Sequence, residues 1–137
     1  MVTALRIALA LGGLLLVYMG LGFLLDPVAA GADFGLAVEG AHAITSARAD
    51  FTSFFLVAGG CFVWGAADRR SDPLVIGAAL MLIALAMRLA ALLSVGPFEG
   101  YLVPMVVEAV LGVLGLIGAS VLPKPVEARE TGPAPAR

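Results

Sequence analysis

Four apolar stretches, each close to the ~20 residues needed to carry a helix across a bilayer, run through the 137-residue chain. They cover residues 5–25, 47–67, 74–95 and 101–122. Composition agrees with them: 61% of the residues are hydrophobic and 13% are charged, against about 25% charge in a soluble domain. A globule of this length has too little interior to hide so much apolar surface, which excludes a soluble enzyme. A net charge of -2 without a basic tract gives no footing for nucleic-acid binding. The chain reads as all-α: a polytopic membrane four-helix bundle over residues 1–122, then a Pro-rich polar tail over residues 123–137 that is expected to be disordered.

Local signals bound the spans. Asp26-Pro27 stops the first, because proline lacks an N–H and disfavours helix in the residue before it. Thr45 or Ser46 is expected to cap the second span, with Asp50 in its first turn facing the positive end of the helix dipole. Ser71-Asp72-Pro73 opens the third as a cap followed by proline at the first helical position. Pro123 and Pro125 stop the fourth. Arg6, the first apolar run and Ala30-Gly31-Ala32 together imitate a secretory signal. That run exceeds the 7–15 residues of a signal peptide, so a retained helix is expected.

Charge sets the orientation. Arg6, Arg69, Arg70, Lys124, Arg129 and Arg137 all fall on one side of the four spans. The opposite loops hold Asp26, Asp33, Glu39, Asp50 and Glu99, with Arg48 their only basic residue. The positive-inside rule then puts both termini and the Arg69-Arg70 loop on the cytoplasmic side. Within the long outer loop, Phe34 to Val38 and Ala41, Ala43 and Ile44 surround Glu39 and His42. This pattern predicts a short helix lying in the outer interface. Trp64 and Tyr101, near span ends, read as interface anchors.

Two charges lie inside spans, Arg88 in the third and Glu108 in the fourth. Each costs about 2.5–3.5 kcal/mol at mid-bilayer unless it faces the bundle interior and finds a partner. Both lie seven residues from the outer end of their span, roughly 10 Å deep at 1.5 Å per residue, so they can meet. Tyr18 falls at the same depth in the first span. Arg48, with Thr52 one turn below it, and Asp50 open the second. The outer half of the bundle is thus expected to gather Tyr18, Arg48, Asp50, Thr52, Arg88 and Glu108, while the inner half stays apolar.

Two readings of that group stay open. It is either a buried ion pair that fixes helix register or the floor of a polar pocket open to the outer leaflet. A carboxylate held beside arginine stays ionised, which argues against a proton relay. No catalytic set, phosphate loop or metal-ligand spacing is present, and His42 with Glu39 and Asp50 reads as a solvated loop. A single histidine excludes a bis-histidine haem, so no cofactor is expected. Cys61, in an apolar run, reads as inert. Gly13, Gly20, Gly112, Gly115 and Gly118 read as helix-packing positions, with a homo-oligomer contact as the second use.

Arg48-Ala49-Asp50-Phe51 opening the second span, Arg88 late in the third and Glu108 in the fourth resemble the bacterial membrane family called domain of unknown function 4345. More distantly the architecture is similar to DoxX-like four-helix proteins. The resemblance covers residues from about 4 to 122 and implies a four-helix bundle without an assigned activity. In that family an aromatic and two glycines follow the span-two arginine; Phe51-Thr52-Ser53 departs from this. The expected function is a non-enzymatic membrane module, surrounded by lipid, that holds a lipophilic small molecule or docks a membrane protein partner through the outer pocket. The alternatives are an accessory subunit of a quinone-linked enzyme complex and, behind it, a small transporter.

Overall fold

A computed structural model describes residues 2–123; the tail expected to be disordered falls, from residue 124 on, outside the described residues. Five helices follow in order: α1 (Val2–Leu25), α2 (Pro27–Asp33), α3 (Gly40–Asp68), α4 (Ser71–Val95) and α5 (Leu102–Val121). Four of them, α1, α3, α4 and α5, are long and apolar enough to cross a membrane. Only 22–33% of the most apolar window of each is buried inside the bundle, so most of each helix surface is left for lipid to cover. The chain is a multi-pass membrane protein.

The spans match the apolar runs, but their ends differ in instructive ways. The second helix begins at Gly40, so Thr45 and Ser46 lie within it and cap nothing. Thr45 instead donates its hydroxyl to the Ala41 carbonyl, one turn back. Asp50 is likewise well past the first turn. The short helix of the long loop is present, but it covers Pro27–Asp33 rather than the Phe34–Ile44 stretch. Asp26-Pro27, which ends α1, also starts α2: the Asp26 carboxylate accepts from the Ala29 N–H at 3.0 Å and Pro27 takes the first turn. Helix α4 starts at Ser71, which puts Pro73 at its third residue, still within the turn whose N–H groups have no helical partner.

The bundle closes as a ring in which α1 packs on α3, α3 on α4, α4 on α5 and α5 back on α1. The core is a single cluster built from all four spans, including Leu9, Leu16, Phe23, Phe55, Phe62, Leu74, Met81 and Leu111. Small residues set the helix spacing. A Cβ on Gly59 would lie 2.5 Å from the Gly13 carbonyl oxygen, so α1 and α3 touch backbone to backbone. Gly112, Gly115 and Gly118 of α5 face Leu82, Phe62 and Leu9 respectively, which makes packing their use.

The two ends of the bundle differ. At one, Arg6 of α1 donates from Nε to the Ala66 carbonyl at 2.8 Å and from Nη2 to that of Ala67 at 3.1 Å. At the same end Arg69 donates from Nε to the Leu122 carbonyl at 3.0 Å. Each arginine satisfies carbonyls at the C-terminus of a neighbouring helix, where the dipole favours a cation. Trp64 donates to Asp68 at 2.9 Å, and the Arg70 guanidinium lies 5.1 Å from its ring centre. The opposite end carries Asp33, Glu39, Asp50 and Glu99. These are called below the arginine end and the acidic end.

Candidate functional site

The acidic half of the bundle is not closed. Below its mouth lies a cavity of about 1020 Å³ bounded by all four spans, by the end of α2 and by the α4–α5 loop. Its position follows from the helix faces. Phe51, Phe54 and Phe55 share one face of α3, because residues three and four apart are neighbours on a helix. Phe34 is brought over them by the turn after α2, where the Phe34 and Leu36 N–H groups both donate to the Gly31 carbonyl. Phe23 of α1 backs this wall, stacked on Phe51 at 4.6 Å between centroids. Phe34 lies 5.7 Å from Phe55, and Phe54 meets Phe55 edge-on at 5.3 Å. With Phe98 from the α4–α5 loop, five of the seven phenylalanines of the chain line the space.

The polar part of the lining is small. Arg88 of α4 donates from Nε to Glu108 Oε1 of α5 at 2.7 Å, a charge-assisted bond. The pair meets as counting from the span ends predicts. The Glu108 side chain is 9% exposed and that of Arg88 35%, so the carboxylate is sunk into the wall while the guanidinium looks into the cavity. Glu108 Oε2 is buried with no hydrogen-bond partner. Such an acceptor left unmade is costly and calls for an explanation. Asp33, Asp50 and Glu99 stand nearer the mouth, all exposed.

Three of the expected residues are elsewhere. Tyr18 is 75% exposed and absent from the lining. It has the right depth but the wrong face, since α1 turns Leu16, Gly20 and Phe23 inward. Arg48 is exposed and makes no ion pair among the described residues, and it does not reach the cavity. Thr52 is buried, with its hydroxyl unpartnered, but it too lies outside the lining. Only Asp50, Arg88 and Glu108 of the expected group come together. The phenylalanine wall, Asp33 and Glu99 were not expected. The spacing of Phe51, Phe54 and Phe55 carries a signal for part of this wall; Phe34 and the Phe98–Gly100 loop arrive only through the tertiary fold.

A model of the family described as domain of unknown function 4345 matches residues 4–119. The chain belongs to that family. The match takes in every residue that lines the cavity, and its description assigns no activity. No curated protein and no solved structure matches the chain, so the wider likeness to DoxX-like bundles has no counterpart in these comparisons.

Proposed function

We propose that this member of the family is a non-enzymatic module of a bacterial cytoplasmic membrane, and that it holds a lipophilic molecule in the cavity at its acidic end. The observation that carries this reading is the cavity itself: about 1020 Å³, walled by phenylalanine, with one ion pair in its lining. Ligand sites are mostly apolar concavities of about 300–1,000 Å³ with a few placed polar groups. The other half of the bundle is packed with Phe62, Leu74 and Leu9 against the α5 glycines, which argues against a transport path from end to end.

Purification into lipid-retaining polymer discs, followed by mass spectrometry of what accompanies the protein, tests the reading. Ala84 lines the cavity, so Ala84→Trp fills empty space without breaking a contact. A defined small molecule is expected with the wild type and absent from Ala84→Trp. The same bulk lipid in both would overturn the reading and leave the ion pair as a register device. A stoichiometric partner protein in place of a small molecule would favour an accessory subunit.

The charge asymmetry supports an orientation with the acidic end outside and both termini in the cytoplasm. In a Cys61→Ala background, a membrane-impermeant maleimide applied to intact cells is expected to label Glu99→Cys and to leave Ser71→Cys unmodified. The reverse pattern would invert the topology.

A further inference from the structure

We propose that the ligand is an organic cation, an ammonium group carried on an apolar body; this rests on the reading of the cavity as a ligand site. Four carboxylates line the cavity against one guanidinium. Arg88 gives its Nε to Glu108 Oε1, so these two charges offset each other and the mouth sets the sign of the field. Asp33, Asp50 and Glu99 form no ion pair and no side-chain hydrogen bond among the described residues. A concavity lined by one sign of charge with low-dielectric walls concentrates the opposite ion.

The deeper lining agrees with the mouth. Phenylalanine faces carry the negative lobe of the ring quadrupole, and a cation over them is attracted, most strongly where water is excluded. Glu108 is more than nine-tenths buried and paired with Arg88, so the unpaired negative charge of the lining lies at the mouth. A neutral lipid fills the volume but leaves the charge of the three carboxylates at the mouth uncompensated. An anionic head must pass three unpaired carboxylates to reach one arginine that already has a partner. An ammonium brings the positive charge that the mouth lacks, while its apolar body covers the phenylalanine wall.

Calorimetry on the full chain in zwitterionic lipid discs tests this with 4-phenylbutylammonium, 4-phenylbutanol and 4-phenylbutyrate, which share one body and differ in charge. Binding is counted as the part lost in Ala84→Trp, which removes partition into the bilayer. The ammonium is expected to bind about tenfold more tightly than the alcohol, and the carboxylate most weakly. Asp50→Asn with Glu99→Gln is expected to remove most of the advantage of the ammonium, leaving the share of Asp33 and the rings, and to leave the alcohol unchanged. Equal binding of all three, or preference for the alcohol or the carboxylate, would overturn the cation while leaving a ligand site in place. No binding by any of the three would overturn both.

Discussion

Arg88→Leu is expected to lower stability by about 3 kcal/mol and Glu108→Leu by roughly 2, while the double change to leucine recovers most of either loss. Reversible unfolding in mixed micelles measures all four proteins of the cycle. The asymmetry comes from burial. Without Arg88, the Glu108 carboxylate has lost its one hydrogen bond at a site where its side chain is 9% exposed. Without Glu108, the guanidinium is still 35% exposed toward the cavity and keeps part of its solvation. With both replaced, neither the buried carboxylate nor the guanidinium is left without its partner. A double mutant whose loss equals the sum of the singles would mean that the two residues contribute independently, against the 2.7 Å contact. Where a lipophilic molecule accompanies the wild type, its loss from a double mutant that folds at wild-type stability would separate binding from scaffold.

The limits of sequence reasoning are visible in individual residues. The spans were legible because bilayer thickness fixes helix length. The meeting of Arg88 with Glu108 was legible because rise per residue turns distance from a span end into depth. Rotation about the axis is a separate coordinate, and depth says nothing of it. Tyr18 lies two positions from the buried Leu16, about 200° around the helix, and so faces outward. Helix α3 begins at Gly40 rather than near Ala47 because hydropathy marks the part of a helix that lies in hydrocarbon. Gly40 to Ser46 contains no breaker beyond its first residue, and the helix continues past the apolar run. Asp26-Pro27 is equally a stop and a start; only the chain after it decides which. Phe34 and Glu99 had no local signal at all, since each reaches the cavity from a loop whose course depends on what it packs against.

The glycines of α3 offer the sharpest contrast, because two neighbours have opposite surroundings. Gly59→Ala is expected to cost about 2–3 kcal/mol, within the range for forcing atoms into a packed interface, and Gly60→Ala to be neutral or slightly stabilising. A Cβ on Gly59 would lie 2.5 Å from the Gly13 carbonyl oxygen and 2.8 Å from the Val17 nitrogen. Both are backbone atoms of α1, so no side chain can turn aside and the whole helix must move. A Cβ on Gly60 meets nothing within 4 Å, and there only the higher helix propensity of alanine acts. Thermal unfolding of the two variants in the same detergent compares them directly. The effect of Gly59→Ala also reaches the cavity, because the α1–α3 contact is what lays Phe23 on Phe51 and Phe55. If the cavity holds a lipophilic molecule as proposed, Gly59→Ala should therefore weaken its retention, and Gly60→Ala should not. Equal stability of the two variants would show that α1 and α3 do not approach as closely as the backbone contact between Gly13 and Gly59 requires.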